Sequence, residues 1–469
     1  MSSPLIWIFL PILFSVALFL TKSKRLLCGI LGTFFSLVLA VAATYFPKDF
    51  ILGFGSNSLE VKDIMVILGR TLTITYDNLT LVSLIFYING FWNMGSCWFK
   101  TSKFFPAMSM VITPLLVAAL AVEPFLYAAL FIEIIILISI PLLSPANEKT
   151  TKGILRYLVF HFLAFPFILF AGWALSGAET APANSPLINQ ATISLIIGFL
   201  LLLAIIPFHS WLPLLTESAH PWMSSYFLIL LPSSLLLFML TFLDRYAWLR
   251  SLEGLYPLFR FIGTSMIALG GALVLFQKNL GKAFGYALII ETGFSLLCFG
   301  LNELGGMYYF SMLLLPRMIG YWLWAFCLGK IKDEYGSLEF SNLPALMHEK
   351  PFLSGGLIIA QLSIAGIPML AGFPVKRMIW FIAAQPDLVN ALWIFLGTMG
   401  IYIFTFKVMV HMIKSEDAIT DWKVTENLGV IIPILLVVGL TIFTGIFPHL
   451  LLPRFTRILD AFPRFPITP

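Results

Sequence analysis

The sequence predicts an all-α, polytopic membrane protein with about fourteen transmembrane helices, two inverted five-helix repeats among them, each repeat holding one broken helix. Three observations carry this. Of 469 residues, 59% are hydrophobic and 11% charged, whereas soluble domains run near ~25% charged. Mostly apolar windows of about 20 residues, enough to cross a bilayer, recur along the whole chain. Two of these windows meet a proline pair at the same spacing, Pro207 with Pro213 and Pro368 with Pro374, and the pairs lie 161 residues apart.

The elements follow in order. The apolar run Pro4 to Leu20 lacks a basic flank on its amino side, so it reads as a retained first helix and not as a cleaved leader. Windows at 26–46 and 78–98 complete an amino-terminal block, 1–103. Its polar connection, 47–77, contains Leu72-Thr73-Ile74-Thr75-Tyr76, whose β-branched alternation suits a short strand or hairpin on the membrane face.

Windows at 104–121, 124–143, 153–174, 190–208 and 222–243 form the first unit, 104–243, with its break expected at 207–213. Those at 257–277, 282–301, 306–330, 351–384 and 388–413 form the second, 257–413, with its break at 368–374. A last span, 427–449, leads into a short proline-rich tail, so that 427–469 closes the chain.

The breaks matter because proline removes a backbone donor and clashes with the preceding turn. Two prolines at this spacing should interrupt a helix near its middle. Broken backbone at membrane depth persists only where protein or water satisfies the freed groups, and transporters place ion sites there.

Charge placement orients the chain. Sixteen Lys and Arg fall in connections on one side, nine on the other, and Arg317, Lys376 and Arg377 fall inside spans. By the positive-inside rule both termini lie outside, and an inner cell membrane is the expected location. The net charge of +5 forms no patch, which gives no reason to expect a nucleic acid partner. Cys28, Cys97, Cys298 and Cys327 stand singly in apolar stretches without metal spacing. No nucleotide loop or nucleophile triad appears, so neither a catalytic residue nor a bound cofactor or metal is expected of this chain.

Ionisable groups in hydrocarbon are costly and by default functional. Glu133 sits mid-way along the fifth span with nothing polar beside it, and Glu291 at similar depth in the tenth. Arg317 follows Pro316 in the eleventh and needs a partner, for which Glu291 is the candidate. Lys376, just past the second break, is the cation able to release a proton when desolvated, with Arg377 beside it. His209 occupies the first break, His161 the sixth span, and Glu217 and His220 could line the exit of the first break. Structural alternatives stand beside these readings: a protonated structural Glu133, a static Arg317 pair, a snorkelling Lys376, and hydrogen-bonded histidines.

Pro207-Phe208-His209-Ser210-Trp211-Leu212-Pro213 and Ala365-Gly366-Ile367-Pro368-Met369-Leu370-Ala371-Gly372-Phe373-Pro374-Val375-Lys376 resemble the antiporter-like membrane subunits of respiratory complex I. Mrp-type sodium/proton antiporter subunits and group 4 hydrogenase membrane subunits share that superfamily. Phe131-Ile132-Glu133-Ile134, Arg156-Tyr157 and Gly281-Lys282-Ala283-Phe284-Gly285-Tyr286 extend the resemblance over nearly the whole chain.

The resemblance implies linked proton half-channels driven by redox cofactors in partner subunits. It makes Glu133 the fifth-helix glutamate and Lys376 the ionisable residue of the broken twelfth helix, and it puts Arg317 where a lysine usually sits. The sequence departs from the pattern at Leu202, Ser233 and Leu214, where the family carries polar or charged residues. Glu133 therefore lacks its expected cationic partner and is either neutral or paired with His161 or His209, while the second half is better preserved. An antiporter exchanging sodium for protons, or a structural subunit with a decayed channel, are the competing readings.

Overall fold

The computed structural model describes residues 2–47, 51–54, 57–99, 102–144, 151–176, 186–414 and 424–465. Lys48, Lys100, Lys149 and Lys423, which entered the charge asymmetry, lie outside the described residues, as do the tail prolines Pro466 and Pro469. The chain is an integral, multi-pass membrane protein. Among the described residues nine helices are long and apolar enough to span a bilayer, and Leu5–Leu20, Phe105–Ala121, Pro186–Leu202 and Pro351–Ala365 are shorter apolar helices.

Burial sorts these helices into a core and a rim. The most apolar windows of Pro221–Arg245, Leu280–Gly300 and Gly306–Tyr335 are 89%, 94% and 100% buried, against 22% for Leu428–Ile446. The rim helices turn leucine, isoleucine and phenylalanine outward. In water such a surface would aggregate; in hydrocarbon it is the ordinary exterior, and the backbone polar groups are satisfied inside each helix. Small residues then let helices approach: Leu255–Leu275 meets Leu388–Ile413 where a Cβ on Gly271 would lie 2.0 Å from the Gly397 carbonyl oxygen.

The helices Arg25–Thr44 and Leu79–Asn93 are tied to Phe105–Ala121 and Pro221–Arg245 by a buried polar network. Asn89 donates to Ser36 Oγ (2.8 Å), Asn93 donates to Asn89 Oδ1 (3.1 Å) and to Ser109 Oγ (3.0 Å), and the Tyr226 hydroxyl donates to Asn89 Oδ1 (3.1 Å). Buried polar groups are costly without partners, and these find theirs in one another. In the connection ahead of the third span, Ile64–Ile67 pairs antiparallel with Arg70–Thr73, and Val122–Glu123 adds a third strand. Leu68 and Gly69 close the hairpin with φ of 49° and 73°, the two positive values a tight right-twisted turn requires. The strand ends at Thr73, earlier than the alternation to Tyr76 suggests, because a 3-10 turn at Tyr76–Asn78 starts the next helix.

Both proline-marked helices are broken. Pro186–Leu202 resumes as Trp211–Ser218, and Pro351–Ala365 resumes as Gly372–Ala384. The breaks begin earlier than the prolines indicate, and the physical reason is the same cap in both. Ile205 N–H donates to the Leu200 carbonyl (3.1 Å) around Ala204, and Ile367 N–H donates to the Leu362 carbonyl (3.1 Å) around Gly366. This closure needs a left-handed residue at its centre. Gly366 has φ 91° and Ala204 φ 52°. Pro213 and Pro374 do not break anything; they sit in the first turns of the resumed helices, where an N–H has no helical partner to lose.

The first resumed helix and the residues just after it are held by Leu280–Gly300 and Gly306–Tyr335. Lys332 donates to the Ser218 and Ala219 carbonyls (2.9 and 3.1 Å), Lys282 pairs with Glu217 (2.9 Å), and His220 meets Asp333 (3.2 Å). The lysine thus satisfies orphan carbonyls at the negative end of that helix.

A non-glycine residue in the left-handed region costs roughly 1–2 kcal/mol. Ala204→Gly should therefore raise the thermal midpoint of the purified protein, and Gly366→Ala should lower it. A shift of the same sign in both variants would contradict the shared cap.

Candidate functional site

The second break builds the site. Glu291 comes from Leu280–Gly300, a helix started by the Asn279 side chain accepting from Gly281 N and Lys282 N. Arg317 comes from Gly306–Tyr335 and Lys376 from the second turn of the resumed Gly372–Ala384 helix. All three are sealed off, at 1%, 5% and 7% exposure.

Their contacts converge on one carboxylate. Arg317 Nε donates to Glu291 Oε2 (3.2 Å), while its Nη2 donates to the Glu291 carbonyl (2.7 Å) and to Ser295 Oγ (2.5 Å). Lys376 Nζ donates to the other oxygen, Glu291 Oε1, and to the Ile364 carbonyl, with the Phe294 ring centre 4.6 Å away. Ile364 lies in the last turn before the break, where carbonyls have lost their helical donors and carry the negative end of the helix dipole. The next orphan, the Ala365 carbonyl, accepts from the Tyr402 hydroxyl (3.1 Å). Interrupting the helix is what makes an acceptor available to a buried ammonium.

Charge counting says what this arrangement can do. One carboxylate between two cations leaves a surplus positive charge in a buried site, where an unbalanced ion costs several kcal/mol. Arginine cannot shed its proton, but a lysine on a flexible stem can. Of the two cations sharing Glu291, Lys376 is thus the one whose chemistry allows its charge to change.

The pair Arg317–Glu291 is the one the spacing of the helices suggests, and Lys376 does not snorkel. Arg377, its neighbour, points to the exposed face and takes no part in the cluster. Glu217 is held in an ion pair with Lys282, and His220, whose Nδ1 accepts from Trp222 N–H, hydrogen-bonds Asp333 through Nε2. Of the two alternatives for Glu133, pairing is the one corrected: it hydrogen-bonds neither His161 nor His209, and its Oε1 is buried without a partner among the described residues. Glu133 and His161 do line one small cavity, with Leu202 in its wall. His209 is half-buried, its ring centre 6.4 Å from that of Tyr286.

Sequence reasoning passed over Ser295 and the Ile364 carbonyl. It also passed over Gln361, which is wholly buried one turn before Ile364 with both amide atoms lacking a protein partner. A lone amide in an apolar span was the available signal for Gln361; a backbone carbonyl leaves none. Among the described residues no group of three His, Cys, Asp or Glu could hold a metal ion.

Two discontinuous helices inside a lipid-facing shell, with a charged triad sealed at one break, define a polytopic membrane protein of transporter-like architecture. The chain belongs to the NADH:quinone oxidoreductase/Mrp antiporter transmembrane family, whose sequence model matches residues 123–402. It is 26% identical over 344 residues to NADH-quinone oxidoreductase subunit N of Ectopseudomonas mendocina, and 26% identical over 326 residues to subunit N of Chromohalobacter salexigens. The matches cover 65% and 63% of this chain and about 65% of the length of each curated relative. The fold is similar to a subunit of the membrane-bound sulfane sulfur reductase, an archaeal respiratory membrane complex (TM-score 0.79, 16% identity, 98% of this chain and 97% of that one). It is also similar to chains of the Mrp complex of a Dietzia species (0.77, 14%, 98% and 97%) and of respiratory complex I from Thermus thermophilus (0.73, 17%, 99% and 100%).

Because Glu291 serves two cations, Glu291→Gln should destabilise the protein by about 3–5 kcal/mol, the cost of leaving buried charge uncompensated. Arg317→Met, which keeps one balanced pair, should cost clearly less. Thermal unfolding of both variants in detergent checks this; an equal or greater loss in Arg317→Met would contradict the shared carboxylate.

Proposed function

We propose that this chain is a fourteen-span, antiporter-like subunit that moves protons within a complex I-type or hydrogenase-related membrane complex, while redox cofactors in partner subunits transfer the electrons. The observation that carries the reading is the Glu291 carboxylate divided between Arg317 and Lys376 at the broken helix. Lys376 is the relay: it gives up a proton when Glu291 turns toward Arg317 and regains one when Glu291 returns. Two inverted five-helix units, 104–243 and 257–413, frame the two breaks. Glu133, His161 and His209 belong to the first, and Glu291, Arg317 and Lys376 to the second. Both termini lie outside an inner cell membrane, and the partners are other membrane and peripheral subunits.

The family name also covers Mrp antiporters, and the fold is similar to an Mrp complex chain. A cation/proton antiporter subunit working without redox partners is therefore the second reading. The apolar residues at Leu202 and Leu214, with Ser233, favour a third, a structural spacer.

Lys376→Ala should abolish coupled proton transport in vesicles containing the assembled complex while electron transfer by the partners continues. Unchanged proton uptake would remove Lys376 from the path. Sodium-dependent proton release without any electron donor would establish the antiporter reading in its place.

A further inference from the structure

Arg377 is a charge within a span that the triad leaves out. It sits in the second turn of the resumed Gly372–Ala384 helix, next in sequence to the buried Lys376. It is nevertheless exposed, and it makes no ion pair or hydrogen bond among the described residues. Trp380 and Phe381, three and four residues on, share its face of the helix and are exposed with it. The Trp380 indole N–H donates to the Ala391 carbonyl (3.0 Å), which joins this face to Leu388–Ile413, where Leu392, Phe395 and Leu396 turn outward. The result is a lateral apolar surface with a permanent positive charge set into it.

Lipid is a poor cover for such a surface. A guanidinium within a span is costly against hydrocarbon unless it pairs or reaches the headgroups. Reaching them runs against the helix, because seven residues, about 10 Å of rise, separate Arg377 from the last residue, Ala384. Side chains on a helix also lean toward its amino end, which here is the break in mid-span. Asp387, the acid in the turn that follows, caps the next helix by accepting from Val389 N–H (2.9 Å) and forms no ion pair with Arg377.

We propose that this face docks a neighbouring membrane subunit, different from this chain, whose spanning segment carries a carboxylate at the depth of Arg377. A carboxylate matches both properties of a guanidinium, its fixed charge and its paired N–H groups. An apolar spanning helix matches the surface that Trp380, Phe381, Leu392 and Phe395 offer around it. Because Arg377 directly follows Lys376, the same contact fastens the resumed helix beside the triad. The proposal rests on the chain working within a membrane complex, as proposed above, and not on its moving protons.

Photo-crosslinking in the native complex tests this. With p-benzoylphenylalanine in place of Phe381, the adduct should form with one other membrane subunit, on an apolar span that holds an Asp or Glu. Arg377→Glu should cut recovery of that subunit with the tagged chain by roughly tenfold or more, since two like charges then face each other. Exchanging the partner's carboxylate for lysine should restore it. Arg377→Met serves where the glutamate variant does not assemble: it should also lower recovery, whereas a lipid-facing position accepts methionine without loss. Adducts with lipid alone or with a second copy of this chain, an adduct span without a carboxylate, or unchanged recovery in both Arg377 variants would overturn the docking site. Proton transport is read separately. A wild-type complex that moves no protons yet shows the adduct and the charge rescue refutes the function and keeps the interface; intact transport with lipid adducts alone does the reverse.

Discussion

Everything at the second break depends on one carboxylate having to satisfy two cations in a place closed to bulk solvent. Arg317 is permanently charged and fully enclosed, so Glu291 cannot leave it without exposing a guanidinium to hydrocarbon. Lys376 competes for the other oxygen and is steadied by a carbonyl that exists only because the helix stops at Ala365. The break, the depth of three side chains and the polarity of Ser295 are parts of a single electrostatic requirement.

The two interrupted helices meet that requirement with the same backbone device. Each ends in a left-handed cap and restarts three residues ahead of a second proline's successor, at Trp211 and Gly372, which keep the 161-residue interval of the proline pairs. What differs is the chemistry placed around the device. The second break offers its orphan carbonyl to an ammonium. At the first break Leu202 takes up the last position of the helix before it, and Glu133 and His161 on neighbouring spans line one small cavity with it.

Much of the architecture was legible because a bilayer imposes its thickness on sequence: apolar windows, lysine-bearing turns and paired prolines are consequences of solvent. The Arg317–Glu291 pair was legible for a related reason, since two opposite charges at one depth on consecutive helices have nowhere else to go. The start of each break was not, because nothing in an alanine announces that Ala204 will adopt a positive φ. The Ile364 carbonyl was invisible, as backbone acceptors have no letter of their own. The partners of Glu217 and His220 were not legible either, because adjacency to a break in sequence says little about direction: both meet side chains of Leu280–Gly300 and Gly306–Tyr335.

That last arrangement has a mechanical side. The short Trp211–Ser218 helix is gripped at its far end by Lys282, Lys332 and Asp333, all from the other half of the molecule. Lys332 and Asp333 close the same long helix that carries Arg317 a little over four turns earlier. One continuous helix thus holds Arg317 near its middle and the far end of the first resumed helix near its tip, so a single stretch of backbone fixes the spacing between the two interrupted helices.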